Sequence, residues 1–444
     1  MLKSNKESGD YLKQIRNNVS EKIGVVDKAL TNQSLPKAKD GKVRIIELGT
    51  GGGESLKELK SHTADLGDIE LIAVDIIPRL VASLKKETGI EGVSADAGVL
   101  PFSSESISAI NASAIFHEIS SYGTNGHTEE GKEVDTLYGR KAIVKAFEEF
   151  NRVLLPGGTL AYRDVLAPSE NLIKPKTVKY SHQSWRLFAN WFIKDFSDSN
   201  THFYEGIDAT IDDTEGGFTL TSSVGFQREF QRHYLMLRDY LRNLKQSEFG
   251  LTMVRSGWLN EKEGLKSITF SLDDRLASVV DLSRFEVHES AGEKIYRGNS
   301  DQFDKICDDV VECYFTQLNS GSIEGNVFGE IIQRWKEREG LEHYVYGNIT
   351  DMLKFSCEAT KNSGSSSVLF PESASDITTP SRFYYNRYLK QVVDDPEKDG
   401  KQIIAFKKLN REQALKSLKE LQVSSLGKEI LTSEAITQLR KNLE

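Results

Sequence analysis

Glu47, Gly49, Gly51 and Gly53 fall at alternate positions in the stretch VRIIELGTGGG, and that spacing carries chemistry. Glycine tolerates positive φ and lets the backbone come close to a ligand. The ESLKEL that follows reads as a helix start, whose free N–H groups complete a cradle for a nucleotide-like ligand. A dinucleotide turn reads G-x-G-x-x-G and would put its third glycine where Glu54 stands. Here one carboxylate precedes the turn and another follows it, so a ligand with a cationic end is favoured and a pyrophosphate is repelled. Asp75 closes the apolar run IELIAVDI, where a carboxylate can accept hydrogen bonds from both hydroxyls of a ribose. A solvated strand-end acid is the plainer alternative. His117 and Glu118 follow NASAIF. An imidazole, with an ordinary pKa of about 6.5, can take a proton from a hydroxyl or amine, or simply tie down its loop. Arg163 and Asp164 stand in TLAYRDV, able to grip a substrate carboxylate or phosphate or to pair with each other at the surface.

These residues need elements to carry them. VRIIEL, IELIAVDI, a short strand over Val93 to Ala95 ending at Asp96, a strand from Ile107, and TLAYRDV alternate with helical stretches. Those stretches begin near Glu54, at Pro78, and over TLYGRKAIVKAFEEFNRVL. Five such units predict a doubly wound parallel α/β sheet. Ligands in such sheets lie outside the carboxyl ends of the strands, which places Ser113, Phe116, His117 and Glu118 at the reacting end. Asp96 has an alternative role as a helix N-cap. Residues 1–40 read as one amphipathic helix, with Tyr11, Leu12, Ile15, Val19, Ile23 and Val26 on one face. It either covers the ligand or merely packs.

At 444 residues the chain is long enough for one large domain or two medium ones. A formal net charge of -9 argues against a main role in gripping nucleic acid. Cys307, Cys313 and Cys357 have no paired metal spacing, and their odd number points to free thiols in a reducing, cytoplasmic setting. No apolar run reaches the roughly 18 residues of a membrane span, and the polar start MLKSNKESGDYLKQ is unlike a signal peptide. GTNGHTEEGKEVD holds His127, Glu129 and Glu130 in an acidic, loop-like run that reads as solvated rather than metal-binding.

Three motifs together resemble the class I S-adenosylmethionine (SAM)-dependent methyltransferases: E-x-G-x-G-x-G before a helix, D-A-x-x-L-P-F from Asp96 to Phe102, and R-V-L-x-P-G-G before the fifth strand. The resemblance implies a seven-stranded Rossmann-like sheet with its last strand antiparallel. It implies SAM as cofactor, S-adenosylhomocysteine as product, and in-line transfer of a methyl group from a sulfonium to a nucleophile. Cofactor contacts are then expected from Glu47, Gly49, Thr50, Gly51, Gly53, Asp75, Ile76, Asp96, Ala97 and Ser113. In that family the acid at Asp96 accepts from the adenine amino group while the following N–H reads a ring nitrogen. His117, Glu118 and Arg163 are the candidate catalytic residues. No metal-ligand spacing is evident.

The last helix and two strands of such a core come only late, as ITDMLKFSCEATKN, Ser365 to Ser373, and Lys401 to Leu409. The expected organisation is therefore a helical cover (1–40), a SAM-binding core (41–169), and a mainly helical, aromatic-rich insertion (170–345) serving as lid and substrate lobe. The rest of the core (346–410, interrupted at 374–400) and C-terminal helices (411–444) follow. Those last helices can pack within the chain or make a homodimer contact. No Asn/Asp-Pro-Pro-aromatic motif follows the fourth strand, which leans toward a small-molecule O-, N- or C-methyltransferase with no membrane partner. Two alternatives stay open. One is an RNA- or nucleotide-directed enzyme using the Arg/Tyr cluster from Arg382 to Tyr388; the other is a SAM-binding regulatory module without transfer activity.

Overall fold

Near-continuous apolar strands need cover on both faces, and parallel sheets supply it. In the computed structural model, α1 (Val19–Thr31) lays Ile23, Val26 and Leu30 over Val43 and Ile45 of β1 (Val43–Leu48), a strand buried at five of its six positions. The structure describes residues 19–64, 66–122, 136–165, 174–198, 209–242, 251–254, 267–319 apart from 273, 279 and 291, 325–336, 349–376 and 401–423. It also describes Gly340, Glu342, Thr437, Arg440, Lys441 and Leu443. Tyr11, Leu12, Ile15, the His127 loop and the cluster from Arg382 to Tyr388 lie outside these residues.

From β1 the chain runs through α2 (Glu54–Thr63), β2 (Ile69–Asp75), α3 (Pro78–Thr88), β3 (Glu91–Ser94), β4 (Ile107–Ser113), α4 (Phe116–Tyr122), α5 (Thr136–Val153) and β5 (Leu154–Val165). Pro78 opens α3, where a missing N–H costs nothing. β1 pairs in parallel with β2 and β4, and β4 with β5. The order reverses between β1 and β4, so the carboxyl ends of those strands flank the crevice in which doubly wound sheets bind ligands.

The chain divides into two compact units. One comprises Met1–Glu170, Glu342–Ile377 and Gly400–Glu444; the other comprises Asn171–Leu341 and Thr378–Asp399. In the second unit β6 (Pro175–Tyr180), α6 (Gln183–Asp198), β7 (Thr210–Thr214), β8 (Gly217–Ser223) and α7 (Val224–Arg242) precede β9 (Leu251–Val254), β10 (Ser267–Leu272) and the short α8 (Asp274–Ala277). Then come β11 (Glu286–Ser290), β12 (Glu293–Asn299), α9 (Ser300–Asn319) and α10 (Gly325–Trp335). Its helices bury the aromatic residues that the sequence placed there: Trp185, Phe188, Phe230 and Tyr234 are in its core, with Trp185 and Tyr234 stacked at 3.7 Å between ring centroids. The unit also contains two antiparallel sheets, ordered β6-β8-β7 and β11-β12-β10-β9, beyond the mainly helical reading.

The first unit is completed by α11 (Ile349–Ser363), β13 (Ser367–Asp376), β14 (Lys401–Asn410) and α12 (Arg411–Val423). Its sheet has seven strands in the order β13-β14-β5-β4-β1-β2-β3. β14 is antiparallel to both β5 and β13. This is the seven-stranded Rossmann-like sheet with its last strand antiparallel. Phe147 and Phe150 of α5 pack with Phe116, Tyr162 and Phe406, binding α4, α5, β5 and β14 into one aromatic core.

Candidate active site

β1 runs straight into its glycine turn, and all three alternate glycines take left-handed φ: 63° at Gly49, 52° at Gly51 and 71° at Gly53. A Cβ on Gly53 would lie 2.2 Å from Leu84 Cδ1, and one on Gly49 would lie 2.6 Å from Ile115 Cδ1. The turn therefore packs tightly as well as bending. Thr50 pins it, its hydroxyl donating to the carbonyls of Glu47 and Val74. Asp75, buried at the tip of β2, accepts the Gly51 N–H at 3.1 Å and the Ile77 N–H at 2.9 Å. One carboxylate thus ties the first turn to the second.

Glu47 lies beneath this turn. Burial drives its carboxyl up to about 7, against the pull of Ser55, Lys22 and the Leu56 N–H, with Asp75 adding to the rise. Its Oε2 is buried without a hydrogen-bond partner among the described residues, as are Asn111 Nδ2, beside it in the β1–β4 ladder, and Ser113 Oγ. Buried polar atoms in that condition are costly unless a ligand satisfies them.

His117 is placed by its neighbour. Phe116 is fully buried in the aromatic core, which fixes the start of α4. Before it, Ala114 takes φ 56° and donates its N–H to the Arg163 carbonyl. A non-glycine residue in the left-handed region costs free energy, and such positions cluster at functional sites. The His117 backbone N–H donates to Asp164 Oδ2 at 3.1 Å, and Nδ1 lies 2.8 Å from Oδ1. Nε2 faces Glu342 Oε2 at 3.5 Å. Burial opposes a charge on the imidazole, but Asp164, Glu342 and Glu118 outweigh it and push His117 up to about 9.

The residues singled out in the sequence fall into two groups. Glu47, Gly49, Thr50, Gly51, Gly53 and Asp75 stand together around the first turn, with Ser113 at the end of β4. Ile76 is exposed immediately after Asp75. Asp96 caps no helix: its Oδ1 accepts the Gly98 N–H at 2.7 Å and its carbonyl accepts the Val99 N–H, making a tight turn that contains Ala97. His117 and Glu118 form the second group. Asp164 is the partner of His117 and is fully buried, and Arg163 is buried as well, so Arg163 and Asp164 are no surface ion pair. Strand alternation sends Arg163 to the face opposite Asp164, the face on which Ala161 packs with the α1 residues Ile23 and Val26. Glu342 escaped sequence reasoning, because nothing local marks an acid 224 positions from Glu118 (342 − 118). Asn111 escaped it too, although a polar residue in an apolar strand was a visible signal.

A model of the methyltransferase-domain family matches residues 46–162, the span from β1 to β5. Among solved structures, the chain is similar to a SAM-dependent methyltransferase from Aquifex aeolicus at 16% identity, covering 49% of this chain and 98% of that one, with a TM-score of 0.25. One from Mesorhizobium loti shares 12% identity over 87% of this chain and 97% of that one, at 0.32. The CurJ carbon methyltransferase shares 14% over 45% of this chain and 53% of that one, at 0.24. Scores this low carry no argument by themselves. No curated protein matches the sequence. The residues present fit SAM: a glycine turn that excludes side chains, a strand-tip carboxylate, and a buried orphan carboxylate oxygen suited to a cationic group. The domain match over residues 46–162 identifies a methyltransferase domain within this chain, set on the seven-stranded sheet.

Proposed function

We propose that the enzyme methylates oxygen, nitrogen or carbon of a small-molecule acceptor presented at the carboxyl ends of β4 and β5, beside His117. SAM supplies an electrophilic methyl carbon: as the acceptor's nucleophile bonds to it, the C–S bond breaks with its electron pair kept on sulfur, and the acceptor loses a proton. Glu47, the glycine turn, Asp75 and Asp96 bind and orient the nucleoside and its cationic end. Holding two reactants in line accounts for much of the rate in such transfers. The acceptor's proton is discharged at the cluster of His117, Glu118 and Glu342.

The observation that carries this reading is the Asp164–His117 pair, because an imidazole held through Nδ1 presents a defined Nε2. Asp164→Asn is expected to lower kcat roughly 100-fold while leaving the SAM dissociation constant unchanged. Incubation with methyl-labelled SAM and separate metabolite and RNA extracts tests the acceptor class. Label in the metabolite fraction supports the proposal, and label confined to RNA overturns it.

A further inference from the structure

Three potential ligand atoms meet at the start of α4. His117, Glu118 and Glu342 each offer one, and those atoms lie within 4.8 Å of one another. Asp164 holds Nδ1 of the imidazole at 2.8 and 3.0 Å from its two oxygens. With Nδ1 engaged by Asp164, the ring nitrogen turned toward Glu342 is Nε2. This is the arrangement in which a carboxylate orients a histidine toward a metal. The separation between Nε2 and Glu342 Oε2, 3.5 Å, is longer than a good N–H···O hydrogen bond. It suits two ligands of one ion: donors about 2.0–2.2 Å from a metal, at tetrahedral or octahedral angles, stand about 3.0–3.5 Å apart. Glu342 and Asp164 are buried, so the surrounding charge is poorly screened by water.

We infer that His117 Nε2, Glu118 and Glu342 bind a divalent first-row cation, Mn2+ or Zn2+, with Asp164 as the carboxylate that orients the histidine. One imidazole and two carboxylates suit such ions and leave coordination positions open. The open positions take the acceptor. This deepens the proposed function by naming an acceptor class, a hydroxyl with a second oxygen beside it, so that both oxygens chelate one cation. Bound to the cation, the hydroxyl ionises more readily. Because the three groups of the cluster then hold the cation, the acceptor's proton leaves to solvent instead of to them, and its oxygen keeps the electron pair that forms the new bond to carbon. The cation site itself does not rest on that reading; only its acceptor does.

The test uses the full chain, stripped with a chelator and dialysed, then titrated with MnCl2 while electron paramagnetic resonance reads the free ion, with ZnCl2 as competitor. The expected result is one Mn2+ per chain, displaced by Zn2+. Glu118→Gln and Glu342→Gln should each weaken binding more than about tenfold, and Asp164→Asn about 10–100-fold. Calorimetry should give an unchanged SAM affinity in the two glutamine variants. Absence of Mn2+ and Zn2+ binding below the millimolar range overturns the inference, as does wild-type affinity in both variants. Should the buried Glu342→Gln variant fail to fold, the half-exposed Glu118→Gln variant decides. Intact SAM binding without metal binding sinks the cation site alone. Metal binding without SAM binding sinks the functional reading and leaves the cation site standing.

Discussion

Binding of SAM should expel a proton from Glu47. The carboxyl stands at about 7 rather than 4.5, with burial as the main cause and Asp75 adding to it, while Ser55, Lys22 and the Leu56 N–H pull the other way. An acid raised in the folded state favours the protonated folded form. Its contribution to stability is therefore fully present below about pH 4.5 and is lost as pH rises through about 7, roughly 3 kcal/mol in all at about 1.36 kcal/mol per pH unit. A cation seated on the orphan Oε2 reverses that preference and holds the carboxylate ionised. At pH 6 about 0.9 of a proton should leave per SAM bound, falling to about 0.5 at pH 7. SAM affinity should accordingly rise roughly 15-fold between pH 5.5 and 7, a window below the range of about 7.7–8.0 in which a free α-amino group titrates. Titration calorimetry in buffers of different ionisation enthalpy reads both quantities. Glu47→Gln should bind more weakly, with no proton release and no slope. A flat wild-type profile, or a slope that survives in Glu47→Gln, would refute the placement of the cationic end at Glu47.

Three substitutions probe the scaffold around that site. Gly53→Ala places a Cβ 2.2 Å from Leu84 Cδ1 at φ 71°; the left-handed cost and the overpacking together should destabilise the fold by roughly 2–5 kcal/mol, read by denaturant unfolding. Asp75→Asn keeps the shape but has a single acceptor oxygen where two N–H groups now bond, and it removes a charge. SAM binding should weaken by about 1.5–3 kcal/mol, or tenfold and more, on calorimetry. Phe147→Ala opens the aromatic core beneath α4 and should cost about 3–5 kcal/mol of stability, seen as a lowered melting temperature.

Much of the first unit was legible because its signals are local. A glycine turn after a buried strand, an acid at the end of IELIAVD and a proline at the start of the next helix each state their structure within a few residues. The strands β13 and β14 were legible despite their distance from β5, because the helix-strand-strand pattern resumes intact after the insertion. The second unit was less legible. Its hairpin β7–β8 turns on Glu215–Gly216, between Thr214 and Gly217, with Gly216 at φ 76°. That turn was a visible cue, but the long aromatic helices on either side dominate the pattern. The partners of His117 were the least legible. Asp164 and Glu342 reach it only through sheet pairing and through the return of the chain to the first unit, and neither leaves a trace in local spacing.

Strand alternation separates the two groups of candidate site residues. On β4 and β5 the odd-numbered residues Asn111, Ser113, Ala161 and Arg163 share the sheet face of Glu47, where α1 packs, and they leave polar atoms suited to a charged amino-acid end. The even-numbered Tyr162 and Asp164 face α4 instead, where Tyr162 packs on Phe116 and Asp164 orients His117. A one-residue slip in the β4–β5 register would exchange these faces, putting Arg163 against His117 and Asp164 under α1. The register is held by the packing of Phe116, Phe147 and Tyr162 on one side and of Ala109 and Ala161 on the other. Apolar residues that never touch a ligand thus decide which carboxylate meets the histidine.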